Sequence, residues 1–291
     1  MSLRKSPVVD SDQLAALRRR ELEITHERAR SLGVSALAAI REGRFVTDDG
    51  QLVDWKADVD KAVASKVSLP PDARLPATPR ARFPETQVFV ANETTLVAAR
   101  RLHDAGIRPL SLNFANGVVP GGGVLTGARA QEEVLCRSSA LLATLEGDPM
   151  YDAHRQGASY ESSDWVILSL DVPVFRRDDG QTLAQPWSSS FVSCAAPYAP
   201  RVGQPRSGDL LEHRIRRLLA VAHAHAFDTL VLGAWGCGAF GNDPARTARD
   251  FRAALEGDFD GAFRQVTFAI TDWSPERRFL GPFRDAFSRE A

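Results

Sequence analysis

The stretch from Leu112 to Ser139 holds the residues best suited to chemistry. A glycine triplet, Gly121, Gly122 and Gly123, is followed after a seven-residue spacer by Gln131-Glu132-Glu133. Glycine brings no side chain to a core and costs conformational order, so three in a row point to a backbone that approaches something closely. Backbone N–H groups gathered in such a loop favour an anion, phosphate above all. Two carboxylates beside it are odd for a plain phosphate binder and natural for an enzyme that moves a proton there. Asn113 and Asn116, just ahead of the triplet, can bond sugar hydroxyls or shape the turn at a strand end.

A second loop reads Gly233-Ala-Trp-Gly-Cys-Gly-Ala-Phe-Gly-Asn242. It contains Gly236-x-Gly238-x-x-Gly241, formally the dinucleotide fingerprint. That fingerprint belongs in a first strand–helix turn, with an acid about 20 residues on. Here it falls in the fifth strand–helix unit, and the acid after the next strand, Asp272, lies too far away. The nicotinamide reading is therefore set aside, and a backbone nest at a helix N-terminus remains. Two nests, one at 117–127 and one at 234–241, suit a diphosphate held between them.

These motifs resemble the poly(ADP-ribose) glycohydrolases. The triplet, spacer and Gln-Glu-Glu are similar to that family's signature. The Asn-Phe-Ala-Asn lead-in at 113–116 and the Gly-Ala-Trp-Gly-Cys-Gly-Ala-Phe-Gly-Asn-Asp-Pro loop at 233–244 are similar to its bacterial-type branch. The resemblance covers about residues 80 to 290 and implies a three-layer α/β/α macrodomain with a mixed sheet, preceded by a helical N-terminal extension. It implies hydrolysis of ribose–ribose O-glycosidic bonds in poly(ADP-ribose), with Glu133 as acid/base and Glu132 as a ligand of ribose hydroxyls. Substrate contacts are expected at Asn113, Asn116, Gly121, Gly122, Gly123, Gln131, Gly236, Cys237, Gly238, Ala239, Phe240 and Gly241. Phe240 would wall the distal ribose, and Trp235 is expected to pack. For adenine the candidates at predicted strand ends are Asn92, Glu93, Thr271, Asp272 and Trp273.

Helical geometry supports a division of labour. Neighbouring helical residues point about 100° apart, so the two carboxylates are not expected to flank one bond as paired glycosidase carboxylates do. A proton donor near neutral pH needs a raised pKa, expected for Glu133 from an adjacent phosphate and from burial by substrate. The plainer alternative is that both glutamates stabilise a helix N-terminus and that Glu133 pairs with Arg137 one turn on, at the surface. Other functions sharing the loops are a non-catalytic ADP-ribose reader and a hydrolase of mono-ADP-ribosylated proteins.

The remaining chain is read as support for these loops. At 291 residues, 44% hydrophobic and 25% charged, with net charge −1, it suits a globular enzyme and gives no bulk-charge case for binding nucleic acid or membrane. Cys136, Cys194 and Cys237 have no metal spacing and read as free thiols of a reducing, cytoplasmic compartment. His223-x-His225 reads as helix surface, and neither metal nor cofactor is expected. The partners expected are poly(ADP-ribose) or ADP-ribosylated proteins, acted on by a monomer. Apolar periodicity over 10–44 and 58–67 predicts helices, and five prolines between Pro70 and Pro84 suggest a linker. An accessory region is thus expected over 1–80 and the catalytic domain over 81–291. Within the latter, strands are expected near 87–91, 109–114, 165–170, 190–195, 229–232 and 265–270. Helices are expected over 92–104 capped by Asn92, from the Gln-Glu-Glu motif to about Leu145, from Ser207, over 244–255, and from Ser274 with a kink at Gly281-Pro282.

Overall fold

The computed structural model describes residues 3–78, 81–157 and 160–287. The chain opens with β1 (Arg4–Lys5), α1 (Asp12–Leu22) and α2 (His26–Glu42). A ribbon of β2 (Arg44–Val46) and β3 (Leu52–Asp54) leads to α3 (Lys56–Ser65) and β4 (Val67–Leu69). Beyond the proline-rich segment come β5 (Gln87–Ala91), α4 (Thr95–Asp104) and β6 (Leu110–Ala115). Helices α5 (Gln131–Ser138), α6 (Leu141–Leu145) and α7 (Pro149–Gln156) precede a long hairpin of β7 (Val166–Arg176) and β8 (Thr182–Ala195). The rest is α8 (Ala199–Val202), α9 (Arg206–Ala224), β9 (Thr229–Leu232), α10 (Pro244–Glu256), β10 (Gln265–Ala269) and α11 (Leu280–Phe287).

Eight strands form one sheet in the order β1-β5-β10-β9-β6-β8-β7-β4. The run from β1 to β8 is parallel, and β7 is antiparallel to both its neighbours. The sheet is therefore mixed, as expected. Alternation of side chains divides the core into two layers. Leu230 and Leu232 join the cluster under α9, α10 and α11, while Val231 between them faces α4 residues Ala98 and Leu102. Likewise Val192 faces α9, and its neighbour Phe191 packs with residues of α2, α3, α5 and α6. With helices on both faces, this is the expected α/β/α macrodomain-like fold. All four residues of β9 are buried, in keeping with its uninterrupted apolar run. The aromatic stack of Phe268, Phe283 and Phe287 locks α11 to the sheet, each ring contributing about 2–3 kcal/mol by burial.

The N-terminal region is helical over α1, α2 and α3, and it also supplies both edge strands, β1 and β4. The boundary drawn at residue 80 falls on Pro79 and Arg80, outside the described residues. No helix of the described residues is long and apolar enough to cross a membrane.

Several local expectations are corrected. Thr94, not Asn92, caps α4, accepting the Val97 N–H at 3.0 Å. Asn92 instead bonds Asp10 and the Asp272 backbone. The helix from Gln131 does not run on to Leu145. Ser139 turns extended and bridges Val174, and the Ala140 N–H donates to Pro173 O, so the β7–β8 hairpin breaks it into α5 and α6. The third strand continues through residues 171–176, because it pairs with a longer β8 than the apolar pattern revealed. Ser207 lies inside α9 and donates to Asn242 rather than capping. His223 is 7% exposed, packed edge-on against Phe263, not on the helix surface. Pro282 sits in the first turn of α11, where no N–H partner is lost, so there is no kink.

Candidate active site

Helix α5 is fastened to the end of β6 by its first residue. The Gln131 side chain accepts the Phe114 N–H at 2.9 Å and donates to Leu112 O at 2.7 Å and Thr95 Oγ1 at 3.0 Å. That residue was expected to contact substrate. It lines the cleft, but both ends of its amide are committed to the scaffold. The helix has no side-chain cap, and Glu132 and Glu133 occupy its first turn.

The two glutamates are held differently. Glu132 is 3% exposed. Its carboxylate accepts the Asn116 N–H at 2.7 Å and Asn113 Nδ2 at 3.3 Å. Burial pushes its pKa up to about 8, against the pull of the Asn116 N–H and with a smaller push from the Glu133 charge. Glu133 is 7% exposed. Its Oε1 accepts the Gly123 N–H at 2.8 Å, while its Oε2 has no partner among the described residues. Both carboxylates line the cleft. One is bonded at both oxygens, and the other keeps one buried oxygen without a partner among the described residues.

This arrangement recasts the glycine triplet. Gly121 and Gly122 have φ of +69° and +56°, a region that disfavours side chains. A Cβ on Gly122 would lie 2.4 Å from Glu133 Oε1 and 3.0 Å from Glu132 Oε2. The anions met by this nest are the protein's own carboxylates, and Gly121, Gly122 and Gly123 stand behind them rather than in the cleft wall. Asn113 is fully buried and bonds Ser193 Oγ as well as Glu132. Asn116 lines the cleft, but its Oδ1 accepts the N–H groups of Val118 and Val119 and so shapes the turn.

The second loop is stapled by Asn242, which is buried and donates to Pro197 O and Gly236 O. Gly236, Gly238, Ala239 and Phe240 line the cleft. The amides of Gly238, Ala239 and Phe240 carry no hydrogen bond among the described residues, as an anion nest requires, though the nest lies in the loop ahead of α10, whose N-terminus is capped by Asp243. Cys237 turns inward, 3% exposed, with its thiol pushed up to about 12 by burial, and Gly241 lies outside the lining. Trp235 is a core residue.

The cleft has a volume of about 750 Å³ and lies across the carboxyl ends of β5, β10, β9 and β6. Of the adenine candidates, Glu93, Thr271 and Trp273 line it. Asn92 and Asp272 instead bond one another, Asn92 Nδ2 to Asp272 O at 2.6 Å. Phe114, Ile270 and Phe279 add an apolar wall near them. Sequence reasoning missed Thr94, His26 and Asp178 in the lining. Asp178 comes from the tip of the β7–β8 hairpin, and His26 from α2 reaches Gly127 O at 2.9 Å. Nothing local marks either one. Arg137, which the plainer alternative placed at the surface in a pair with Glu133, is 1% exposed and makes no such ion pair among the described residues.

Residues 34–177 match the family model for the microbial-type PARG catalytic domain. No curated protein matches the chain. Among solved structures, the poly(ADP-ribose) glycohydrolase of Thermomonospora curvata is 38% identical, with a TM-score of 0.83 over 90% of this chain and 100% of that one. Its complex with the inhibitor ADP-HPD is 36% identical, with a TM-score of 0.81 over the same 90% and 100%. The Deinococcus radiodurans enzyme in complex with ADP-ribose is 39% identical, with a TM-score of 0.72 over 78% of this chain and 96% of that one. With this identity carried over nearly its whole length, and with a paired-glutamate helix set at a cleft between two glycine loops, the chain belongs to the microbial-type poly(ADP-ribose) glycohydrolases, which are glycosidases.

Proposed function

We propose that the chain hydrolyses the ribose–ribose bond of poly(ADP-ribose) with Glu133 as the single acid/base and Glu132 as an anchor for ribose hydroxyls. The observation that carries this division is the unpartnered Oε2 of Glu133 beside a Glu132 whose oxygens are already bonded. The Glu133 carboxyl gives its proton to the leaving ribose oxygen as the bond from that oxygen to the anomeric carbon breaks. Positive charge develops at the anomeric carbon and is eased by the diphosphate held at 238–240. Water then bonds that carbon and returns a proton to the Glu133 carboxylate. The cut leaves a hydroxyl on the departing ribose and another on the anomeric carbon, and a terminal cut releases ADP-ribose.

Phe240 serves this scheme as a wall for the distal ribose, and Glu93, Thr271, Trp273 and Phe279 as the adenine end. The ADP-ribose and ADP-HPD complexes of the relatives support a ligand of this class in the cleft. We read the protein as a cytoplasmic monomer without nucleic-acid affinity of its own. Its three buried free thiols and net charge of −1 support that reading. The deciding experiment is Glu133→Gln. Turnover of polymer should fall at least 10³-fold, within the range assigned to acid–base catalysis, while ADP-ribose still binds by calorimetry. A variant that still releases ADP-ribose at the native rate would sink the assignment.

A further inference from the structure

Arg137 is a buried charge that the reaction scheme leaves unused. It lies one turn from Glu133 on α5 and is 1% exposed. None of its three guanidinium nitrogens has a hydrogen-bond partner among the described residues. A guanidinium carries five N–H donors in a fixed fork. Leaving one unpaired in a core costs free energy unless neighbouring charge compensates it. Two carboxylates supply that charge, Asp178 and Glu133.

Each carboxylate has one oxygen fixed and one free. Glu133 Oε1 takes the Gly123 N–H, and Asp178 Oδ2 takes the Thr94 hydroxyl at 2.7 Å. Glu133 Oε2 and Asp178 Oδ1 are without partners among the described residues. Asp178 is carried to the cleft by the β7–β8 hairpin, whose last β7 residue, Arg176, donates to the Arg137 carbonyl at 3.3 Å. The helix and the hairpin thus meet at Arg137, and each brings a buried carboxylate oxygen without a partner among the described residues.

We propose that Arg137 is a positioning residue for the hydrolysis, its charge divided between Glu133 and Asp178 so that it stabilises the Glu133 carboxylate formed when the proton is given up. This rests on Glu133 being the acid/base. Donating the proton leaves a carboxylate that the guanidinium charge attracts, which favours the proton's departure. Asp178, when ionised, takes part of the same charge and opposes that effect. The other charges facing this group are Glu132 on α5, Arg129 ahead of α5, and Arg18 and Glu21 on α1, which face Asp178. Burial pushes Asp178 up to about 6, so its share changes within an accessible pH range.

The test is the pH profile of kcat/KM on polymer for Arg137→Gln, Arg137→Lys and Asp178→Asn. A general acid sets the alkaline limb, where activity falls as it loses its proton. Arg137→Gln should move that limb up by about one pH unit and lower kcat about tenfold, a change of about 1.4 kcal/mol. ADP-ribose affinity should stay within about threefold of native, since Arg137 contacts no cleft surface. Arg137→Lys, which keeps the charge, should restore the limb. Asp178→Asn should move it the opposite way, because Arg137 then acts on Glu133 alone. A support that merely holds the helix would lower rates without moving the limb, or move it the same way in both variants. Either result overturns the proposal, as does an unmoved limb in Asp178→Asn, which also decides the matter if Arg137→Gln fails to fold. Failure of the acid/base assignment is distinguished by Glu133→Gln, which would then keep its activity whatever Arg137 does.

Discussion

Glu132 shows at the scale of one residue how a catalytic helix charges the rest of the protein for its site. Its carboxyl is buried and pushed up to about 8, above an ordinary value of 4.5. Between those two values the folded protein keeps a proton that the unfolded chain releases. The stability this lends is complete below pH 4.5 and is lost as pH rises toward 8. The loss is on the order of 3–5 kcal/mol. Asp178 has the same sign but a lower window, ending near 6. Thermal unfolding of the ligand-free protein should therefore drop in midpoint between pH 6 and 8.5. Glu132→Gln should flatten that drop and exceed the native midpoint at pH 8.5. Equal slopes for the two proteins would refute the account. The importance of Glu132 and Glu133 was legible from their place behind a glycine triplet. That Glu132 would be buried deeply enough to be pushed up was not, since its burial depends on α5 packing against the distant end of β6.

At the scale of elements, the two glycine loops share a composition and differ in what their glycines make room for. In the first loop the space is taken by the protein's own carboxylates, as the 2.4 Å approach at Gly122 shows. In the second, a Cβ on Gly238 would meet nothing within 4 Å, and the residue lines the cleft. Alanine at the two positions should therefore fail in different ways. Gly122→Ala should displace Glu133 and strain a φ of +56°, costing stability by about 1–3 kcal/mol and abolishing turnover. Gly238→Ala should leave the unfolding midpoint of the free protein unchanged and weaken ADP-ribose about tenfold, because only the bound diphosphate comes close. Calorimetry and thermal melts on both variants check this. A destabilised Gly238→Ala with native affinity would show its glycine to be structural. Both loops and the strands feeding them were legible from apolar runs ending in Asn or Gly. The roles of Thr94, His26 and Asp178 were not, because they depend on a hairpin and a helix folding across α5 over long sequence separations.

At the scale of the whole molecule, residues beside β1 hold the late segment that forms one wall of the cleft. Asp10, just after β1, accepts Asn92 Nδ2 at 2.8 Å and Arg277 Nε at 2.7 Å. Arg277 reaches Asp12 as well, and Asp272 holds the N–H groups of Ser274, Phe279 and Leu280. The segment from 271 to 280 that presents Trp273 and Phe279 to the cleft is therefore anchored by the N-terminal residues. Reading residues 1–80 as accessory drew on helical periodicity. It had no access to this contact, since parallel pairing of β1 with β5 leaves almost no trace in two residues of sequence. Asp10→Asn keeps the volume but weakens the charged bond to Arg277, a change of about 1–3 kcal/mol. If the 271–280 segment forms the adenine end, its loosening should lower ADP-ribose affinity about three- to tenfold. The kcat at saturating polymer should stay near native, because Glu133 and the loop at 121–123 are fastened separately, through α5 and α2. Loss of kcat with unchanged affinity would show instead that the termini act on the proton-transfer end of the cleft.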